Sequence, residues 1–97
     1  MKITERSHSK ETDDIVNFKF DNGAWASIDT RGSYEYQEDE DDEETYIEGS
    51  LEFERIDGKL TLTDFDGCFE LPEEVVAAVQ DLGYAVDEYI LNSDIDG

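Results

Sequence analysis

The sequence predicts one α+β domain over residues 1–97, a mostly antiparallel β-sheet of about five to six strands with one main helix, at about residues 72–82, packed on one face. Three stretches carry that reading. DIVNFKF-DNG-AWASIDT and TYIEGSLEFERI-DG-KLTLTDF alternate apolar and polar residues on either side of a turn signal, and LPEEVVAAVQDLG has the period of a helix. At 97 residues the chain is long enough for a single modest core and too short for two.

The amino-terminal stretch, MKITERSHSKETDD, turns polar after Ile3 and is read as a polar segment; it offers no apolar run for a secretory signal. In the first hairpin, Asp21, Asn22 and Gly23 form a three-residue loop, a type I turn closed by Gly23 in the left-handed region. Phe20 then faces Ala24, Phe18 faces Ala26 and Val16 faces Ile28, and all six share one apolar face. A two-residue Asn-Gly turn would set Phe18 against Ser27 and Val16 against Asp29, mixing the faces. The opposite face carries Asn17, Lys19, Trp25, Ser27 and Asp29, with Trp25 exposed or covered by another strand.

SYEYQ forms a further strand, with Tyr34 and Tyr36 on one side and Glu35 on the other. It runs into YQEDEDDEETY, which holds seven consecutive acids from Glu38 to Glu44 and connects two strands. In the second hairpin, Asp57-Gly58 is a two-residue turn that sets Phe53 opposite Leu62, Arg55 opposite Leu60 and Leu51 opposite Asp64. Ile47, Leu51, Phe53, Leu60 and Leu62 point inward together. The same parity leaves Tyr46, Glu48, Ser50, Glu52 and Glu54 outside, alternating at roughly 6.6 Å, twice the strand rise. That outer face is an acidic ladder.

The helix begins with Pro72 in its first turn, Glu73 and Glu74 complement the positive end of its dipole, and Gly83 terminates it. Val75, Val76, Val79 and Leu82 make its apolar stripe. YAVDEYILNSDIDG is expected to add a last strand through Ile90, then a frayed tail over about residues 92–97.

Charge is the dominant compositional feature. The net charge is -21, from 28 Asp and Glu against 7 Lys and Arg. A magnitude of about 2 to 8 suffices for solubility of a small domain, so solubility alone does not explain it. Hydrophobic residues at 37% and aromatics at 11% still supply enough apolar material to fold. Anionic lipid and nucleic-acid phosphates repel such a chain, and no stretch approaches the ~20 apolar residues of a membrane span. Direct nucleic-acid and membrane binding are therefore not expected, and the chain reads as cytoplasmic.

Catalytic material is thin, and the chain is not expected to be an enzyme. His8 is the one histidine and lies in the polar segment SHSK; Cys68 is the one cysteine, cannot form an internal disulfide and reads as a small apolar side chain. NSDIDG imitates the start of a calcium loop at Asn92, Asp94 and Asp96, but the chain ends before a twelfth-position Glu. In TDFDG, counting back from Gly67 puts Leu62 at the first ligand position. No metal or cofactor is expected.

The charge itself is the remaining signal. B-DNA presents one negative charge per about 1.7 Å of axis, and Lys and Arg grooves receive it. A sheet bearing Glu48, Glu52 and Glu54, edged by Glu35 and by Glu38, Asp39, Glu40, Asp41, Asp42, Glu43 and Glu44, can offer carboxylates to such a groove as phosphates would be offered. Tyr34, Tyr36 and Tyr46 are the expected apolar anchors, and association would be steered and salt-sensitive.

In its small size, extreme acidity, SYEYQEDEDDEETY segment and α+β pattern, the chain resembles the DNA-mimic inhibitors of phages and mobile elements, most of all anti-CRISPR proteins. The resemblance covers the chain as a profile and transfers no residue by position. It implies an inhibitor that occupies the nucleic-acid-binding surface of a CRISPR effector subunit in the host cytoplasm. Such a protein would act as a monomer or as a homodimer joined through an edge strand. Anti-restriction mimics share the profile. An immunity protein capping a basic nuclease toxin, or a halophilic acidic domain without inhibitory role, is the alternative.

Overall fold

Residues 2–92 are described by a computed structural model, in which a curled mixed sheet of seven strands carries one main helix. Strands β1 (Ile3–His8), β2 (Ile15–Phe20), β3 (Trp25–Asp29), β4 (Ser33–Gln37), β5 (Tyr46–Ile56) and β6 (Lys59–Phe65) form an antiparallel meander in sequence order. Helix α1 (Glu73–Asp81) then leads to β7 (Ala85–Val86), which pairs parallel with β6, and a short helix α2 (Glu88–Asn92) follows.

Turn chemistry fixes both hairpins. Gly23 takes φ 89°, its N–H donates to the Phe20 carbonyl at 3.3 Å, and the Phe20 N–H donates to Ala24 O at 3.0 Å. The three-residue loop therefore forms as expected, Phe18 faces Ala26, and Val16 faces Ile28. At the second turn Asp57 and Gly58 have φ 52° and 80°, the two positive angles a type I′ hairpin needs. Phe53 pairs with Leu62 and Arg55 with Leu60, as the sequence implies. Leu51, however, faces Phe65 and not Asp64: Glu52 pairs with Asp64 and Phe53 with Leu62, so β6 holds one extra residue, Thr63. The bulge preserves the parity of β5 while shifting β6 past it.

The expectation of five to six strands is corrected to seven. The polar amino-terminal segment supplies β1, where only Ile3 is even partly buried. Nothing in its side-chain pattern marks a strand; its backbone pairs with β2, and Arg6–Asp81 at 2.7 Å and Lys19–Glu5 at 3.8 Å add surface ion pairs. The carboxyl-terminal expectation is also corrected, since only Ala85–Val86 is strand. Asp87 ends it by capping α2: its carboxylate accepts from Tyr89 N–H at 3.1 Å and its carbonyl from Ile90 N–H at 3.0 Å. The expected tail beyond Asn92, with the calcium-like Asp94 and Asp96, lies outside the described residues.

One apolar face of the sheet and α1 enclose the core. Val16, Phe18, Ala26, Ile28, Leu62, Leu71, Val75, Ala78, Val79 and Ile90 are all buried, and α1 packs on β3 and β7. Full burial of a Val, Leu, Ile or Phe side chain stabilises the fold by about 1.5–3 kcal/mol. Gly83, at φ 95° just after Leu82, terminates α1 as its sequence predicts, whereas Pro72 stands one residue before the helix with an extended backbone and not within its first turn. Val75, Val76 and Val79 are buried and Leu82 partly so; Ala78, outside the expected stripe, is fully buried with them.

Tyr34 and Tyr36 belong to this core, which corrects their assignment as surface anchors. Their exposures are 2% and 8%. The parity separating them from Glu35 is as expected, but their side is the one that faces α1 and the β6–α1 loop. The Tyr36 hydroxyl hydrogen-bonds the buried Glu74 of α1, and Tyr34 Oη lies 2.9 Å from Cys68 Sγ and donates to Asp66 O at 3.3 Å. Burial pushes the phenol pKa of each upward, and these hydrogen bonds add to the shift.

Candidate functional site

On the face opposite α1, strand register sorts the side chains into three rows. Lys19, Trp25, Gln37 and Tyr46 make the first; Asn17, Ser27, Glu35 and Glu48 the second; Ile15, Asp29, Ser33 and Ser50 the third. The first row is bulky. The Trp25 and Tyr46 rings lie 6.1 Å apart, tilted by 41°, on either side of the buried Gln37. Thus Trp25 has a partner from β5, two strands away, which the hairpin pattern alone does not reveal.

The second row brings like charges together. Glu35 and Glu48 face one another directly across β4 and β5, an arrangement that is unfavourable by itself. Tyr46 answers it: its Oη lies 2.9 Å from Glu35 Oε1 and 2.9 Å from Glu48 Oε2, so a single hydroxyl is shared between the carboxylates. Loss of solvation and these two acceptors hold the Tyr46 phenol above its ordinary pKa. At the base of the row Ser27 Oγ donates to Asn17 Oδ1 at 2.6 Å.

The third row ends in an internal ion pair. Arg31 grips Asp29 with Nε to Oδ1 at 2.9 Å and Nη2 to Oδ2 at 2.8 Å, and also approaches Asp14 at 3.7 Å. That bidentate hydrogen bonding holds the Asp29 carboxyl below its usual pKa. Between the bulky first row and this pair, Ser27, Ser33 and Gly49 are small, leaving an open groove of about 510 Å³ whose acidic wall is Glu35 and Glu48.

Gly49 has a packing reason to lack a side chain. A Cβ there would overlap the Asp66 carbonyl oxygen, and the same close crossing lets Ser50 and Asp66 exchange backbone hydrogen bonds at 3.2 and 2.9 Å. Here β5 changes partner, pairing with β4 through Ser50 and with β6 from Leu51 onward. Glu48, Glu52 and Glu54 alternate along the exposed side of β5, as the sequence predicts. Glu52 stands opposite Asp64, and Ser50, Glu52, Asp64 and Asp66 surround a second hollow of about 360 Å³.

The acidic run is a folded turn. Asp42 caps a single 3-10 turn at Glu43–Thr45, its Oδ1 accepting from Glu44 N–H at 3.0 Å. Asp39 Oδ1 accepts from Asp41 N–H at 3.0 Å, and Asp39 N–H donates to Thr45 Oγ1 at 3.2 Å. Glu40 N–H reaches the Gly23 carbonyl of the first hairpin at 3.0 Å. Two of the seven acids thus serve local structure, while all the side chains from Glu38 to Glu44 are exposed.

From Gly32 to Glu54 the chain holds 11 acids and no Lys or Arg. Arg6, Lys19 and Arg31 make their ion pairs with Asp81, Glu5, Asp29 and Asp14, all outside that segment. Of the expected apolar anchors Tyr46 alone reaches the surface, at 36% exposure, whereas Phe69 in the β6–α1 loop is 97% exposed. Phe69 follows the helical and strand patterns of neither neighbour, so its exposure had no sequence signal. His8 is exposed on β1. Among the described residues no cluster of three or more His, Cys, Asp or Glu is placed to hold a metal ion, and no helix is long and apolar enough to cross a membrane. No protein family, curated protein or solved structure matches the chain.

Proposed function

We propose that this α+β chain is an acidic DNA-mimic inhibitor, anti-CRISPR-like in type, that occupies the basic nucleic-acid-binding surface of a CRISPR effector or another nuclease in the cytoplasm. The observation that supports the reading is an ordered acidic surface, from Glu35 through the turn at 38–44 to Glu48, Glu52 and Glu54, with no basic residue in its segment. Carboxylates carried on an ordered backbone suit a Lys and Arg groove built for phosphates, because the chain needs less ordering when the complex forms.

Inhibition would be by occupancy, without a chemical step. Uncompensated charge accelerates encounter and makes it salt-dependent, and the Trp25–Tyr46 pair and Phe69 supply the apolar contact that charge lacks. The test is capture of the partner from a nuclease-bearing host, followed by competition between the chain and DNA for it. Mutual exclusion is expected, with affinity lost when the acids at 38–44 are changed to Gln and Asn. A ternary complex with full DNA affinity would overturn the reading.

A further inference from the structure

The groove between the Trp25–Tyr46 pair and the Arg31–Asp29 pair is shaped by the fold and is not used by it. Its floor is made of small residues, Ser27 and Ser33, with Gly49 beside them, and its volume of about 510 Å³ lies within the range of small-ligand sites. Asp29, at one end, is already matched by Arg31. Among the described residues no cation pairs with Glu35 or Glu48; they share one Tyr46 hydroxyl, whose single proton cannot serve both at full strength.

We propose that this groove receives an arginine side chain of the protein partner. Charge complementarity requires a cation, because two carboxylates meet on the same wall. The geometry selects a guanidinium over an ammonium. Acceptors on two adjacent strands match a planar fork with five N–H donors. An ammonium can also bridge the two carboxylates, but it is compact and strongly hydrated and lacks the flat, five-donor fork that pairs with carboxylates in a fixed geometry. The proposal rests on the reading of the chain as a binder of basic proteins, and it names the residue type that the groove engages.

The experiment separates the two. Amide and indole NMR signals of the full chain are followed on addition of N-acetyl-arginine amide and, separately, N-acetyl-lysine amide. Saturating shifts centred on Ser27, Glu35, Glu48 and the Trp25 indole, with arginine bound more tightly than lysine, are expected. Ser33→Tyr fills the groove without altering charge, and Glu48→Gln removes one acceptor charge at constant size; each should weaken arginine binding about tenfold or more. Shifts centred on 38–44, non-saturating shifts, equal response to lysine, or unaltered binding by a folded Glu48→Gln variant would each overturn the groove assignment. No DNA-binding partner enters this measurement. A groove that binds arginine in a chain that never competes with DNA would therefore sink the mimic reading alone, whereas competition with an arginine-blind groove would sink the groove alone.

Discussion

Glu35 on β4 and Glu48 on β5 stand directly opposite one another, and a single tyrosine hydroxyl lies 2.9 Å from an oxygen of each. This pair joins the core-supported strands to the acidic surface. Tyr46→Phe removes the shared donor and leaves the two carboxylates facing each other. Losing a hydrogen bond to a charged group costs about 1.5 kcal/mol or more, discounted here toward about 1 kcal/mol because the site is solvent-accessible. Urea unfolding at neutral pH should show that loss, and added salt should shrink it; an unchanged midpoint would mean that the hydroxyl contributes nothing.

Gly49 is expected to be intolerant of any side chain. Gly49→Ala drives a Cβ into the Asp66 carbonyl at the point where β5 changes partner. Overpacking of this kind costs about 1–3 kcal/mol, whereas Ser50→Ala at the adjacent exposed position should stay within about 0.5 kcal/mol. Chemical denaturation of the two variants side by side checks the contrast, and equal stabilities would contradict the close crossing.

Within the acidic run, identity matters at two positions and charge at the others. Asp42→Ala removes the acceptor of the Glu44 N–H and Asp39→Ala that of the Asp41 N–H, each costing about 1 kcal/mol. Glu40→Gln and Glu43→Gln should leave stability unaltered or slightly raised, because exposed like charges are diluted. Hydrogen exchange at the Glu44 and Asp41 amides reads the difference directly, and protection retained in the Asp variants would show that the turn does not depend on its caps.

Alkaline pH should destabilise the chain before most of its phenols ionise in the folded state. Tyr34, Tyr36 and Tyr46 all have folded pKa values raised above the ordinary value of about 10, chiefly by burial. A raised folded pKa means that the native state retains protons that the unfolded state releases, so the contribution is fully present below about pH 10 and is lost as pH rises through the folded values. Thermal unfolding monitored with phenolate absorbance should show a falling midpoint above about pH 10. A flat midpoint would show that these phenols titrate as in the unfolded chain.

Salt should stabilise the free protein, and on the proposed function it should weaken the complex with a basic partner. Net charge of -21 on one small domain repels itself, and raising ionic strength from about 0.01 M to about 0.15 M shortens the screening length from about 30 Å to about 8 Å. A midpoint rise of several degrees is expected from about 1 kcal/mol of relieved repulsion. A fall in the midpoint would contradict self-repulsion as the main electrostatic term.

Much of the fold was legible because local rules and burial agreed. The three-residue loop Asp21-Asn22-Gly23 and the two-residue turn Asp57-Gly58 set the hairpins, parity along β5 placed Glu48, Glu52 and Glu54 outside, and Pro72 and Gly83 bounded α1. Strand β1 was illegible because its side chains are nearly all exposed and its pairing is made by backbone. The end of the last strand depended on Asp87 capping a helix of five residues, too short to show periodicity. Tyr34 and Tyr36 were placed together correctly by parity. Which face held the core at that strand was not a local question, because an amphipathic ring can serve either side.

Charge, turn positions and the in-and-out order of each strand are properties of the sequence, since they follow from composition and from a period of two residues. The meeting of Glu35 with Glu48, the Tyr46 hydroxyl between them, the Trp25 ring beside Tyr46 and the groove over Ser27 and Ser33 belong to the tertiary structure. They depend on the relative register of four strands, and register across a connection as long as the acidic turn is set by packing and by the close crossing at Gly49, which act between residues distant in sequence.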